Sequence, residues 1–514
     1  MTDVAVNTGE AEEKVRAVPR SVVVIGAAAA LLTVDVVRGG ATSKYVPLAL
    51  IGVILGTIVV RLAKRWSWLV GCVLVTMVLI PNDGRYLLAA HFPIQMQPYR
   101  VVVGAIIVGW LVALLVDPRV RARASGFDAP IVLIILATLG SEVVNPGRSS
   151  TLSSYVIKAM LLFVTLVFVF YMVVSVVRTR EVVERLLTVL VTCGAIEGFG
   201  AIYQRRSNTN IFNSLHPILP GFNFEGLQGA LGQARGGFLR ATASAGHPIE
   251  LSATMAMLLP LAIYLAVSRQ QKRWWVAALL LLGGDFAGGS RTGIISLVVI
   301  ILVFLWLRPR QVLRCWPALL PALVAVHFVA PGALGGVEQG FFPAGGLLAQ
   351  QSHVFVERGG HVTDNTRLSR WGPSIQEWME HNPLFGEGFG TRVTGLLPNG
   401  RMNPDDNANV LDDEWLTTLL ETGLVAVIGW WWLFGRVVRR LARRAKVEGP
   451  SPDGWLFVGL AASIASFAAS MFFYDAFSFI QATSVLFVLL AFAATLLSLV
   501  PTKGIVPTKG VGRA

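Results

Sequence analysis

The chain has 514 residues, of which 54% are hydrophobic and only 14% charged, with a formal net charge of +13 and a mean hydropathy of +0.64. A soluble protein of this length cannot hide so much apolar surface in one or two cores, so a soluble globular architecture is excluded and lipid becomes the solvent for most of the chain. The basic excess does not point to nucleic acid, because Lys and Arg sit in short clusters between apolar stretches rather than on one polar domain.

A polar, mixed-charge tail over 1–20 precedes the first apolar run. No short run with a small-residue cleavage site follows, so that first run is expected to be retained as a helix. A membrane span needs about 20 helical residues, because lipid satisfies no backbone hydrogen bonds. Runs of roughly that length fall near 21–37, 45–62, 66–82, 99–116, 129–145, 155–177, 186–204, 249–268, 274–289, 292–307, 315–330, 416–435, 455–474 and 480–500. Cys72, Cys193 and Cys315 all lie in or beside these runs, without metal-ligand spacing, and read as small core residues.

Alternate connections carry the charge. The segments at Lys14–Arg20, Arg61–Arg65, Arg119–Arg123, Arg178–Arg185, Arg269–Arg273, Arg308–Arg314, Arg436–Lys446 and Lys503–Arg513 hold 27 of the 43 Lys and Arg residues. Positive residues stay on the cytoplasmic side, so these segments and both termini are expected there. The expected fold is all-α: a polytopic transmembrane bundle of about fourteen spans. It divides into a tail (1–20), N-terminal helices (21–204), a central region (205–435), C-terminal helices (436–500) and a short tail (501–514). The central region contains a large, partly helical extracytoplasmic loop, 331–415. Cytoplasmic loops are all short and hold no Walker or dinucleotide fingerprint, so any chemistry lies outside or within the membrane and uses no soluble nucleotide.

Four features at the outer edge carry polar chemistry. The first runs from Gln233 through Arg240 to His247-Pro248, where Pro248 suits the first turn of a helix. Arg240 there is either functional or snorkelling, and His247 alone reads as interfacial. The second is Gly288-Gly-Ser290-Arg291-Thr-Gly293. Ser290 can cap the next helix, whose positive end attracts anions, and Arg291 adds a planar donor fork. An arginine at this depth costs roughly 2–3 kcal/mol, so it demands a ligand or a partner such as Asp285 or Glu197. The third runs from Asn365 or Thr366, either able to cap a helix, through Arg367, Arg370, Trp371 and Trp378 to Pro383 and a glycine-rich turn. Those four side chains suit an anionic headgroup or, equally, an interfacial aromatic belt. The fourth is Asp412-Asp413-Glu414-Trp415-Leu416, then Glu421-Thr-Gly423-Leu. Adjacent carboxylates repel, which favours one of them as a base, while oxygen ligands for a hard metal or a simple acidic helix start are the alternatives.

Together these residues resemble the O-antigen ligase / O-antigen polymerase family of membrane glycosyltransferases, over about 195–430. Tyr203-Gln204 is similar to that family's helix-ending Tyr-Gln, and Arg240 through His247-Pro248 to its Arg…Gly-x-x-x-His/Asn-Pro. Ser290-Arg291 resembles its Gly-Ser-Arg step. Arg367…Trp371 with Asn382-Pro-Leu-Phe-Gly-Glu-Gly-Phe-Gly390, and Glu421-Thr-Gly-Leu, complete the pattern. One departure matters: where ligases carry His-Asn-x-aromatic-Leu, this chain has Asp412-Asp413-Glu414-Trp415-Leu416, which shifts the expectation toward polymerisation. His353 and His361 lie earlier in the same loop.

The resemblance implies transfer of a glycan from a polyprenyl diphosphate donor to a glycan or lipid-linked acceptor, in cell-surface polysaccharide biosynthesis, with no cofactor, no metal and no nucleic acid. Membrane lipids and other polysaccharide-assembly proteins are the further partners. The expected catalytic residues are Arg240 and Arg291 on the diphosphate and Asp412 as base, with Arg367, Arg370, Trp371, His247 and Asp413 binding substrate. The rival expectations are a transporter or flippase of lipid-linked oligosaccharide and a metal-dependent enzyme using Asp412, Asp413 and Glu414.

Overall fold

A computed structural model describes residues 66–88, 96–117, 120–219, 221–226, 234–235, 238–314, 367–392 and 411–499, with isolated positions between 317 and 328. Helices dominate: α1 Trp66–Leu79, α2 Pro98–Val116, α3 Asp128–Val144, α4 Pro146–Thr151, α5 Ser153–Val176, α6 Arg180–Ser207, α7 Pro248–Arg269, α8 Lys272–Gly288, α9 Arg291–Leu307, α10 Pro309–Arg314, α11 Arg367–Glu380, α12 Glu414–Glu448, α13 Pro452–Ser470 and α14 Ile480–Leu499. Two antiparallel strand pairs complete the described chain, β1 Tyr86–Leu88 with β2 Phe222–Phe224, and β3 Ala234–Arg235 with β4 Phe238–Leu239.

Among the described residues, seven helices are long and apolar enough to cross a membrane, and α1 and α9 are shorter apolar helices. The protein is a multi-pass, all-α membrane protein. Eleven of the expected spans coincide with described helices. Those at 21–37 and 45–62, and nearly all of 315–330, lie outside the described residues. Two helices overrun their expected ends. α6 begins within the basic segment before it, and α12 continues to Glu448, so the Arg436–Lys446 run forms its last turns.

α7 is the hub, packed on α6, α8, α9, α13 and α14. Small residues permit this: Ser252, Ala253, Thr254 and Ala256 on α7, and Ala482, Thr483, Ser484 and Ala491 on α14, are all buried. In lipid, close backbone approach is a main source of helix association. Where α6 crosses α8, a Cβ on Gly198 would stand 2.5 Å from the Leu280 carbonyl oxygen. Cys193 is buried in this core, whereas Cys72 is exposed on α1, contrary to the expectation of a core position, and so faces outward. Cys315 lies outside the described residues.

The helix ends sort the charges. At one end Arg308 donates to the carbonyls of Ala445 (2.6 Å) and Gly449, Arg269 to Thr188 (2.9 Å) and Arg440 to the Gly126 carbonyl (3.2 Å). Arg180 pairs with Glu184 and Asp453 there. All four sequence features lie at the opposite end.

Candidate active site

Two features meet at the start of α7. Pro248 occupies its first turn and His247 caps it, Nδ1 accepting from the Ile249 N–H at 3.2 Å. The α8–α9 step docks alongside, because a Cβ on Gly288 would lie 2.9 Å from the Pro248 carbonyl oxygen and 2.6 Å from Ser252 Oγ. Ser290 caps α9 through the Thr292 N–H, as its sequence position predicts. The Arg240 Nε donates to the Gly288 carbonyl at 2.9 Å, and the Ala241 N–H to that of Ala287 at 3.1 Å. Arg240 and the Ser290-Arg291 step therefore share one neighbourhood, at the positive end of α9. Of the two acids weighed as partners of Arg291, Glu197 Oε1 accepts from Ser244 and Gln481, and Asp285 lies against Gly293, two residues along α9.

The loop carrying Arg240 is fixed from beneath by buried polar groups. Arg85, fully buried, donates to the carbonyls of Ala243, Ser244 and Ala245 at 2.7–2.9 Å. Gln204 Oε1 accepts the N–H groups of Thr242 and Ala243 at 3.0 and 2.8 Å. Glu250 accepts from the N–H of Gly246 at 2.9 Å and of Gln481 at 2.7 Å. Away from water each such group needs a partner, so the network holds the loop in one conformation.

The acidic stretch completes the site from α12. Asp413 is its N-cap, with Oδ1 accepting from the N–H groups of Trp415 (3.0 Å) and Leu416 (3.2 Å). Glu414 accepts from the Phe477 N–H at 2.9 Å and the Thr418 hydroxyl at 3.3 Å. Asp412, held at φ 53°, precedes the cap; backbone held in that region costs of order 1–3 kcal/mol in a non-glycine residue and clusters at functional sites. Its charge acts on both His247 and Asp475. Burial, reinforced by the Arg240 charge, pulls the His247 imidazole down to about 4 despite Asp412. Burial, reinforced by Asp412, pushes Asp475 above the usual carboxylate range. The His247 ring stacks on Phe479 at 5.4 Å, and Phe479 on Tyr474 at 5.6 Å.

The glycine-rich turn explains a break in α12. Gly423 has φ 73° and ψ −175°, so the helix is interrupted there. The segment 382–391 runs alongside and satisfies the freed groups: the N–H groups of Glu387 and Gly388 donate to the carbonyls of Leu420 and Glu421 at 2.8 and 3.1 Å, and that of Leu424 to the Pro383 carbonyl at 2.9 Å. A Cβ on Gly423 would stand 2.2 Å from the Leu384 carbonyl oxygen, so the approach requires glycine. Asn145 Nδ2 closes the outer side on the Gly386 carbonyl at 2.8 Å. Arg148 and His381 flank Glu387, whose carboxyl burial pushes above its ordinary range. Irregular backbone at membrane depth survives only where protein satisfies it in this way.

The described side chains of the third feature pack on the start of α12. α11 ends at Glu380, before Pro383, as expected. Trp371 and Trp378 rest on Leu411, Leu416 and Leu420. Trp371 also stacks on Phe472 at 6.4 Å, and the Trp378 Nε1–H donates to the Pro383 carbonyl at 2.8 Å. The side chains of Arg367 and Arg370, and the whole of His353 and His361, lie outside the described ones.

A cavity of about 570 Å³ opens beside the acidic stretch, bounded by α2, α3, α5, α12 and α14, with Arg100, Lys158, Glu414, Glu421 and Asp475 in its wall. Arg240 and Arg291 are not among the described residues that line it. Asp475, Arg100, Lys158 and Arg85 are the residues that the sequence reading passed over. Lys158 and Asp475 carried a usable signal, since each is an ionisable group in or at the edge of an apolar span.

No curated protein matches the chain. Residues 276–431 match the family model described as O-antigen ligase, which covers the α8–α9 step, α11, the glycine-rich turn and the first half of α12. Over residues 276–431 the chain is thus similar to the O-antigen ligase family.

Proposed function

We propose that the protein transfers a glycan from a polyprenyl diphosphate to an acceptor hydroxyl on the extracytoplasmic face, and that it polymerises rather than ligates. The observation that carries this reading is the meeting of Arg240, the Ser290-Arg291 step, His247 and Asp412 at the end of the bundle away from the arginine-closed helix ends. The positive-inside rule puts those arginine-closed ends in the cytoplasm and the site outside. The acceptor oxygen bonds to the anomeric carbon as the bond from that carbon to the diphosphate oxygen breaks. The electron pair leaves with the diphosphate, and the hydroxyl proton passes to Asp412. Negative charge grows on the diphosphate in this step, and the guanidinium groups of Arg240 and Arg291 lower the barrier by binding it as it forms. The neutral His247 imidazole, packed on Phe479, orients groups without competing for the proton. An aspartate at 412, in place of the ligase histidine, supports polymerisation.

Deletion followed by analysis of the cell-envelope glycans tests the proposal. Accumulation of single lipid-linked repeat units is the expected result. Accumulation of long lipid-linked polymer would make the protein a ligase, and an unchanged envelope glycan would refute both. In proteoliposomes, substrate crossing the bilayer without a new glycosidic bond would make it a transporter.

A further inference from the structure

The connection between α13 and α14 touches both halves of the site. On one side the Phe479 ring stacks on His247, and Tyr474 stacks on Phe479. On the other it is laced to the start of α12. The Glu414 N–H donates to the Tyr474 carbonyl at 3.2 Å, and the Phe477 N–H donates to Glu414 Oε2 at 2.9 Å. Asp475 completes the lacing. Its Oδ1 accepts from the Asp413 N–H at 3.3 Å and the Thr417 hydroxyl at 3.1 Å, and the Asp412 N–H also interacts with its carboxyl. The connection is itself anchored: the Thr483 hydroxyl lies 2.8 Å from the carbonyl oxygens of Ala476 and Phe479, and the Gln481 N–H donates to Glu250 at 2.7 Å.

Asp412 needs such a support. At φ 53° its backbone is unfavourable for any residue with a side chain, and it stays there only where the surroundings dictate it. Asp413 and Glu414 hold α12 itself, one as its cap and the other through Phe477. Asp475 is the carboxyl that takes up the turn before it. We propose that Asp475 is a positioning residue, which holds the Leu411–Asp413 turn so that the Asp412 carboxyl stays within reach of His247 and Arg240. This rests on the function proposed above and names a residue on which its base depends. Asp475 lies beyond the stretch 276–431 matched to the family, so the acidic half of the site draws on chain outside that stretch. The role requires an acceptor oxygen at Oδ1 but no exchangeable proton, which separates it from that of a second base.

The test is steady-state transfer by the full-length chain in proteoliposomes, with the lipid-linked repeat unit extracted from a deletion strain as the probe. Asp475→Ala removes the acceptor and is expected to lower kcat about 10²-fold, the scale of a reacting group misplaced by about 1 Å. KM should stay within about twofold of wild type, because the turn acts on the transition state rather than on binding. Asp475→Asn keeps an acceptor at Oδ1 and is expected to hold kcat within about threefold of wild type. Should Asp475→Ala fail to accumulate in the membrane, Thr417→Val takes its place. It removes the hydroxyl that steadies Oδ1, and is expected to lower kcat about fivefold at unchanged KM, the scale of one hydrogen bond. Wild-type kcat in the variant so tested, a raised KM with kcat unchanged, or an equal loss in Asp475→Asn would overturn the positioning role. Asp412→Asn separates the two readings. Abolished transfer there beside normal Asp475 variants overturns this inference alone, whereas wild-type transfer by Asp412→Asn overturns the proposed base and the inference with it.

Discussion

At one end of the bundle, Arg308 closes the last turns of α9 and α12 by donating to backbone carbonyls, Arg269 reaches across to Thr188, and Arg180 clamps α6 to α13 through Asp453. At the other end, α12 breaks at Gly423, Asp412 sits at positive φ, and the segments 240–247 and 382–391 run inward along the helices. Both ends hold many charges, but they are employed differently. The first end uses guanidinium groups to finish helices, which places the chain across the bilayer. The second carries irregular backbone, and a buried polar network keeps that backbone in place.

The comparison is sharpest for arginine itself. Arg291→Lys keeps the charge but removes the planar fork, and is expected to lower glycan transfer roughly 10²–10³-fold, the scale of losing one preorganised transition-state donor. Arg440→Lys, at the opposite end, gives up a bond to the Gly126 carbonyl and stacking over Phe127, and is expected to leave transfer unchanged. Radiolabelled lipid-linked donor in proteoliposomes, with membrane levels checked by immunoblot, measures both. Near-wild-type transfer by Arg291→Lys would remove that residue from the mechanism, and a loss in Arg440→Lys would erase the distinction between the ends.

Glycines on α12 give the second contrast, in stability. Gly423→Ala forces a Cβ into positive φ and against the Leu384 carbonyl oxygen, and is expected to destabilise by about 2–4 kcal/mol from strain and overpacking together. Gly435, farther along the same helix, has open space at its Cβ position. Gly435→Ala should be neutral or slightly stabilising, since alanine is the better helix former. Thermal unfolding of the detergent-solubilised variants decides the matter: equal midpoints would mean that the break at Gly423 is not held by segment 382–391.

How far the sequence reached follows from the same physics. Hydropathy located eleven of the described helices because lipid forces each span to be long, apolar and helical. The Ser290 cap and the first-turn Pro248 were legible because helix starts favour a short polar acceptor and tolerate proline, whereas the His247 cap was not. The break in α12 was not, since Glu421-Thr-Gly423-Leu reads as an ordinary helix interior until segment 382–391 is laid beside it. Arg100 and Lys158 belong to helices remote in sequence from α12, so only packing reveals that they share a cavity with Asp475. Arg85 was hidden for the opposite reason: it lies in a connection between spans, and its burial depends on the carbonyls of residues 243–245 turning toward it.

The smallest expected effect concerns protonation at the site end, at His247. His247 is held at about 4 against an ordinary value of 6.5. The unfolded chain therefore binds this proton more tightly than the folded one. Stability from the neutral imidazole is complete above pH 6.5 and is lost progressively as pH falls toward 4. His247→Asn keeps an N-cap acceptor for the Ile249 N–H while removing the titration. The thermal midpoint of the wild type is thus expected to fall more steeply than that of His247→Asn between pH 6.5 and 4, with the two nearly parallel above that window. Parallel profiles through the whole range would mean that Arg240 and burial do not act on His247, and the close grouping of the two residues at the start of α7 would lose its electrostatic support.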